Sequence, residues 1–496
     1  MGLLFATAES GNGGSDTILN FDGNIQMRLS VIGCGHLGAV HAACMAEIGH
    51  DVLGVDIDEG KIALLNSGKA WFHEPGLDDM LARNVSAGRL RFSTNFGDAT
   101  DFSRVHFLGV ATPGRPGGSY DLSQVSSAVT SLARHAHGPC LIVGKSTVPP
   151  GTAESLRAIA ADASQAEDID IAWNPEFLRE GCAVQDTLMP DRIVIGTISD
   201  SAETILREIY QPLTDGGIPL VVTDFATAEL VKGAANAFLA SKISFINAMA
   251  DICAKVNGDV RALAGALGLD PRIGQSFLKA GIGYGGACLP KDVRGLAAFA
   301  EQAGASSASE LLMLVDAINV ARRDQVVDLV EESLGAVPAV GYPQAKNSLG
   351  GRRVAVWGAA FKPGTDDVRD SPGLEVANRL LLLGAEVTVY DPMATGNALT
   401  VSPELAFADS AFSALHQADV VVVVAAWPEF AEISPAAAGA AAASMTIVDA
   451  CQGIDIATWQ EAGWSVFSLT GNHAGRAGNG SATLATLQGA ARESLN

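Results

Sequence analysis

No uninterrupted apolar run among these 496 residues reaches the roughly 18–20 residues of a membrane-spanning helix, and the alanine tract at 436–443 is too short and too weakly apolar to serve as one. Membrane insertion is therefore not expected. The seven cysteines (34, 44, 140, 182, 253, 288 and 451) contain no CxxC pair and are odd in number. Reduced thiols of a cytoplasmic protein fit this usage better than a disulfide framework or a zinc site, and no metal is expected. Basic residues are scarce, with 32 Lys and Arg against 55 Asp and Glu and a net charge of -23. Such a field repels nucleic acid and anionic membranes, so a phosphate ligand must be held locally by glycine loops and a few lysines. Histidine is missing from the middle of the chain, where all nine lie at or before residue 137 or at and after residue 416. Any acid or base supplied there must be a carboxylate, a lysine or a bound water.

What is present is a globular composition, 48% hydrophobic and 18% charged, over a length that suggests about three domains. Residues 1–26 lack a basic n-region and a long apolar core, so a secretory signal is not expected and the stretch reads as a disordered extension or tag. From Met27, short β-branched runs ("RLSVIG", "HDVLGVD", "VHFLGVAT", "CLIVGKS", "IDIAWNP", "RIVIGT") alternate with helical stretches, which implies βαβ units and a parallel sheet over 27–223. Residues 224–256 are apolar at helical spacing and predict one helix of roughly 30 residues, the spine of a central helical domain over 224–334. A helix of that length joins domains or forms a subunit interface, and a homodimer is expected. A Gly, Pro and Ser-rich linker follows at 335–351, the α/β alternation restarts over 352–470, and the Gly, Ser and Ala-rich residues 471–496 read as a flexible tail. The expected fold class is α/β, with two Rossmann-like parallel-sheet domains joined by the helical one.

"VIGCGHLG" places Gly33, Gly35 and Gly38 in GxGxxG spacing directly after a strand and at the opening of a helix, and Asp56 closes the next strand. Glycines permit the tight turn and close backbone approach, the helix N-terminus faces a pyrophosphate, and the acid accepts from a ribose hydroxyl. An acid there repels a 2'-phosphate, so NAD is expected rather than NADP. Lys61 could reach the phosphates or the adenosine side, or be a solvated helix lysine.

Three further constellations carry chemistry. "NPEFLREG" sets Glu176 and Glu180 four apart, on one face if the segment turns helical, where two acids can share the holding of a water and a sugar hydroxyl. Lys232 and Asn236 are likewise at i and i+4 on the long helix, an ammonium beside an amide that suits an oxyanion or hydroxyl. "GYGGACLPKD" sets Cys288 behind glycines that let backbone approach a ligand, and Lys291 can help keep the thiolate ionised. Asp292 shares the helical face of Cys288 if the segment turns after Pro290. The other six cysteines read as structural thiols.

Taken together, the glycine turn, "GKSTVPPGT", "NPEFLREG", "PDRIVIG", "KGAANAFLASKISFIN", "GYGGACLPKD" and "FKPGTDDVRDSP" occur in an order that resembles the UDP-glucose/GDP-mannose dehydrogenase family from about Met27 to Leu469. The resemblance implies oxidation of a nucleotide sugar's primary alcohol to a carboxylate with two NAD in succession, through a thiohemiacetal and a thioester on Cys288. It implies that Lys232 stabilises the oxyanion, Asn236 the reacting hydroxyl, Asp292 with Thr147 the catalytic water, and Glu176 hydrolysis. It places His36, Leu37, Thr112, Thr147, Glu180, Lys291 and Arg369 at the cofactor beside the glycines, Asp56 and Lys61. It places Glu176, Phe177, Leu178, Arg179, Glu180, Phe277, Leu278, Lys279, Ala280, Gly281, Gly285, Phe361 and Lys362 at the sugar nucleotide, and sends Arg272 to a neighbouring subunit's sugar site. "PDRIVIG" favours UDP-glucose, whereas "CLPKD" with Leu289 also occurs among GDP-mannose enzymes, and an acetamido UDP sugar is a further alternative. A degenerate paralogue that only binds NAD or a sugar nucleotide is opposed by Cys288, Lys232, Asn236 and Asp292 occurring together. Relatives often carry an arginine after the aspartate of a late strand, but here the text is "VDACQGID", and Cys451 and Gln452 cannot supply that cation.

Overall fold

The computed structural model describes residues 18–19, 25–164, 168–336 and 347–470. The tail 471–496 and most of the linker 335–351 lie outside the described residues. The stretch 1–26 is not wholly without regular structure, because Ile18–Leu19 (β1) pairs antiparallel with Ile25–Gln26 (β2). Two compact units form, one from residues up to Thr112 with Leu122–Glu229, the other from Pro113–Asp121 with the chain from Leu230 onward.

The first unit is built on eight strands: Arg28–Ile32 (β3), Asp51–Val55 (β4), Leu90–Ser93 (β5), Val105–Leu108 (β6), Cys140–Gly144 (β7), Ile169–Trp173 (β8), Ile193–Gly196 (β9) and Leu220–Thr223 (β10). Their order is β10-β9-β8-β7-β6-β3-β4-β5. The strands β6 and β7 are buried along their whole length, as expected where helices cover both faces of a parallel sheet. Those helices are His36–Glu47 (α1), Glu59–Asn66 (α2), Leu77–Ser86 (α3), Phe96–Phe102 (α4), Ser123–His135 (α5), Thr152–Ala163 (α6), Ala183–Leu188 (α7) and Asp200–Thr214 (α8). One junction departs from the parallel expectation: β8 meets β9 antiparallel. The connection there runs through an irregular loop and the six-residue α7. The order reverses at β3, which lies between β6 and β4, so the carboxyl ends of β3 and β6 open the crevice where such sheets bind ligands.

The long helix is Phe225–Val256 (α9), 32 residues, followed by Val260–Gly268 (α10), Leu289–Gln302 (α11) and Ser306–Ser333 (α12). By length and a mean hydropathy of 1.3 in its best window, α9 could cross a bilayer, although the sequence shows no unbroken apolar run of that size. Lys232, Asn236, Ser244 and Asn247 interrupt it and are buried within the protein, as in a core helix. At its start Glu229 accepts from the backbone N–H groups of Gly151 and Ala153 at 2.7 and 2.5 Å, which caps α6.

In the second unit a six-stranded parallel sheet comprises Arg353–Trp357 (β11), Glu386–Tyr390 (β12), Ala406–Phe407 (β13), Val420–Val423 (β14), Thr446–Asp449 (β15) and Ser465–Ser468 (β16), in the order β13-β12-β11-β14-β15-β16. Val326, Val327, Leu329 and Val330 of α12 share the core of this sheet. The helical region and the second sheet, separable in the sequence, are thus one packed body.

The glycine turn after β3 has no room for a methyl group at Gly33 or Gly38, whereas Gly35 faces open space. A Cβ on Gly38 would lie 1.8 Å from the Gly33 carbonyl oxygen, and Gly33 itself has φ +88°. Gly38→Ala is expected to lower Tm, since overpacking against backbone costs about 1–3 kcal/mol, and to weaken NAD binding at least about tenfold in a fluorescence titration. Wild-type values of both would contradict this account of the turn.

Candidate active site

On the cofactor side, Asp56 follows β4 and accepts from Cys34 N at 2.7 Å through one oxygen and from Asp58 N at 3.0 Å through the other. The carboxylate is thereby held at the rim of the crevice, where its remaining lone pairs can accept from ribose. Lys61 lies over the Trp71 ring at 4.8 Å and 3.8 Å from Asp58, so its charge is held on an aromatic face. His36 packs against Trp71 and Phe72, with ring centroids 4.6 and 4.2 Å apart. Thr112 donates to the Thr147 carbonyl at 2.8 Å, which joins the two threonines quoted from different motifs. The cradle fits a dinucleotide: a glycine turn crowded at Gly33 and Gly38 and open at Gly35, a helix N-terminus and an acid at the next strand end.

In the second unit the thiol of Cys288 is exposed and sits at the N-cap of α11, with Pro290 in the helix's first turn. Proline suits that turn because its missing N–H would have no partner there. A helix N-terminus stabilises a thiolate. One turn on, Asp292 donates its N–H to the Cys288 carbonyl at 2.8 Å, the helical face expected from the sequence. The Asp292 carboxylate is fully buried. Asn236 donates to one oxygen at 2.6 Å, and Lys291 and the Tyr120 hydroxyl engage the other at 2.7 and 3.4 Å. Lys291 also lies 4.7 Å over the Tyr120 ring. The ammonium expected to serve the thiolate is therefore bonded to Asp292. Burial, and then the Asp292 charge, push the Tyr120 phenol far above its ordinary range, so it remains a donor. Lys232 and Asn236 are both buried rather than solvated. Tyr120 was missed by sequence reasoning, because no local pattern marks it; it lies in Pro113–Asp121, the short segment that belongs to the second unit.

"NPEFLREG" is not helical. Residues 174–179 are irregular, so Glu176 and Glu180 do not share a helix face; the proline after Asn174 disfavours helical backbone there. Instead Glu176 accepts from Leu178 N at 2.6 Å and Arg179 pairs with Asp186 at 2.6 Å. Phe177 lies under the Arg192 guanidinium at 3.7 Å. The buried Glu74 anchors the loop's exit by accepting from Gly181 N and Ala183 N at 2.8 and 2.7 Å.

The glycines before Cys288 make room for protein in the direction a side chain would take. A Cβ on Gly285 would lie 2.2 Å from the Asp370 carbonyl oxygen, and one on Gly286 2.8 Å from the Phe361 ring. The loop carrying Phe361, Lys362 and Arg369 is thereby docked on "GYGG". Lys362 lies 5.5 Å over Phe361, and Arg369 pairs with Asp367 at 2.7 Å. In "FLKAG", Phe277 takes the left-handed φ +65°, Leu278 and Ala280 are buried, and Gly281 N donates to Asn247 at 2.8 Å. The Lys279 ammonium donates to the Gln452 carbonyl at 3.3 Å while Gln452 donates to the Ala280 carbonyl at 2.8 Å. A cation thus does reach the "ACQG" turn, supplied from another strand of chain. Arg272 is exposed and forked on Asp270 at 2.6 Å.

A dinucleotide turn at a sheet's switch point, with an acid closing the next strand, defines a nicotinamide-dependent dehydrogenase. The chain belongs to the UDP-glucose/GDP-mannose dehydrogenase family: residues 27–214 match its NAD binding domain, 226–321 its central domain and 355–456 its UDP binding domain. It is an oxidoreductase and its cofactor is NAD. It is 42% identical over 407 residues to a UDP-glucose 6-dehydrogenase of Rhizobium meliloti, covering 82% of this chain and 90% of the relative. It is 38% identical over 444 residues to the UDP-glucose 6-dehydrogenase TuaD of Bacillus subtilis, covering 89% and 93%. A UDP-glucose dehydrogenase structure from Pyrobaculum islandicum superposes with a TM-score of 0.80 at 37% identity, covering 89% of this chain and 97% of that one.

Cysteine reactivity follows from the environments. Burial pushes Cys34 far above the ordinary thiol range, Cys44 up to about 12 and Cys140 up to about 11. Iodoacetamide at pH 8 is expected to label Cys288 first, with activity lost in step, as read by peptide mass spectrometry. Faster labelling of Cys34, Cys44 or Cys140 would refute the assignment.

Proposed function

We propose that this protein is a UDP-glucose 6-dehydrogenase that converts UDP-glucose, two NAD and water to UDP-glucuronate, two NADH and three protons. The observation that carries the reading is the exposed Cys288 at the head of α11, tied through Asp292 to Asn236. An alcohol-to-ketone enzyme has no use for a nucleophile, whereas an alcohol-to-acid enzyme must retain its aldehyde. NAD, when bound at the glycine turn, accepts a hydride in each oxidation. Asn236 orients the sugar's C6 hydroxyl and Lys232 stabilises the oxyanion that develops there. The Cys288 thiolate attacks the aldehyde carbon, a C–S bond forms, and the oxygen takes up a proton as the thiohemiacetal. Loss of that proton and of a hydride leaves a thioester. Water positioned by Asp292 with Thr147 then adds to the carbonyl, Glu176 takes its proton, and the C–S bond breaks to free the thiolate and the acid. Phe277 to Gly281, Phe361 and Lys362 hold the nucleotide sugar, and Arg369 reaches the cofactor.

UDP-glucose is favoured over an acetamido sugar by the 37–42% identity to UDP-glucose enzymes, against 27% to a UDP-D-ManNAc dehydrogenase structure from Pyrococcus horikoshii. The reaction is cytoplasmic, in keeping with free thiols. In a parallel assay of UDP-glucose, GDP-mannose and UDP-N-acetylmannosamine, two NADH per UDP-glucose are expected; turnover of another sugar alone would overturn the substrate. Cys288→Ser is expected to abolish acid formation, and acid made at the wild-type rate would end the covalent scheme.

The chain acts as a homodimer along α9. Phe238, Phe245 and Ile252 recur at seven-residue spacing and are 68%, 51% and 54% exposed. A regular apolar seam of this kind matches a second helix of the same sequence. Phe245→Glu is expected to convert a dimer into a monomer in sedimentation velocity; a wild-type monomer at micromolar concentration would refute the seam.

A further inference from the structure

The first unit contains a cavity lined by His41, Lys145, Asn174, Glu176, Phe177 and Tyr210, among others. Lys145 and Asn174 follow directly on β7 and β8, neighbouring strands in register at Gly144 and Trp173. The side chains form a closed buried network. The Lys145 ammonium donates to Asn174 Oδ1 at 2.7 Å and lies 3.5 Å from the Tyr210 hydroxyl. Tyr210 donates to the same Asn174 oxygen at 2.5 Å, and Asn174 donates onward to the Val194 carbonyl at 2.7 Å.

This network does not need a charge. Asn174 Oδ1 already has a neutral donor in Tyr210, and an ammonium buried against neutral oxygens and the Phe107 ring at 5.8 Å is costly. Burial pushes Lys145 down to about 7, and the Glu176 carboxylate partly offsets that. The other charged groups around the cavity are committed: Asp186 to Arg179, and Arg192 to the Phe177 ring. His41 is held well below its usual range by burial and by the Lys145 charge, so it is neutral. Glu176, two residues beyond Asn174, is the carboxylate whose charge acts on the ammonium.

We propose that Lys145 is a positioning residue for the hydrolytic half of the reaction: it clamps Asn174, the entry of the loop, and thereby sets the place of the Glu176 carboxylate. The proposal rests on the role given above to Glu176. Lys145→Met removes the charge and leaves Asn174 with Tyr210. It is expected to hold or raise Tm and to lower kcat at least about tenfold while kcat/KM for both substrates stays within about twofold, so that KM falls with kcat. The NADH burst of two per active site in stopped flow is expected to survive, because only thioester hydrolysis is slowed. Wild-type kcat, or a fall in kcat with a lost burst and a lowered Tm, would overturn it. Tyr210→Phe keeps the ammonium and removes the neutral donor; near wild-type kcat with a lower Tm is expected, and a tenfold loss of kcat there would also overturn the proposal. Glu176→Gln separates the two readings: wild-type turnover in that variant removes the role of Glu176 and this inference with it, whereas a slow Glu176→Gln beside a wild-type Lys145→Met removes only the inference.

Discussion

The buried carboxylate of Asp292 is the constraint on which the placement of the exposed Cys288 thiol depends. A carboxylate with no access to water is tolerated only when its oxygens are hydrogen-bonded, and here the donors come from α9 through Asn236, from the excursion 113–121 through Tyr120 and from α11 itself through Lys291. Three segments distant in sequence must therefore be in place together. Because Asp292 is one turn beyond Cys288, fixing the carboxylate fixes the start of α11 and with it the sulfur. Gly295 takes part, since a Cβ there would lie 2.3 Å from the Tyr120 ring.

The two sheets share a switch point at their first strand and an acid at the end of the next, yet they differ in what that acid can do. Asp56 accepts two backbone N–H groups at the rim and stays partly exposed. Asp391 is buried and accepts from Ala359 N, Ala360 N, Met393 N, Ala394 N and the Trp427 indole, all between 2.7 and 3.0 Å. With its lone pairs taken from within, it has none to give a ribose. The second sheet is thus unsuited to bind a second dinucleotide in the manner of the first, in keeping with its match to a UDP binding domain.

Loops carry most of the proposed substrate contacts, and buried polar anchors hold them. Glu74 ties the exit of "NPEFLREG", Lys145 and Tyr210 tie its entry, and Gly285 and Gly286 let the "FKPGTDDVRDSP" loop lie against "GYGG". An irregular segment in such a position gains rigidity from directional bonds that regular secondary structure would otherwise provide.

The α/β class, the dinucleotide turn, the extent of α9 and the relation of Cys288 to Asp292 were legible in the sequence because each is local: a few residues of fixed spacing on one strand, turn or helix. The family resemblance extended that reading to residues whose roles no local pattern defines. Tyr120 beside Asp292, Lys279 at Gln452, Trp427 on Asp391 and Lys145 on Asn174 were not legible, since side-chain hydrogen bonds across tens to hundreds of residues leave no periodic signal. The antiparallel meeting of β8 and β9 was likewise invisible, as strand direction depends on the path of the connection rather than on the strands themselves. By itself the sequence determined which residues could do the chemistry, through residue type and short spacing. Only the tertiary structure decided which of them are charged, buried or already engaged, because those properties belong to the surroundings that folding brings to each side chain.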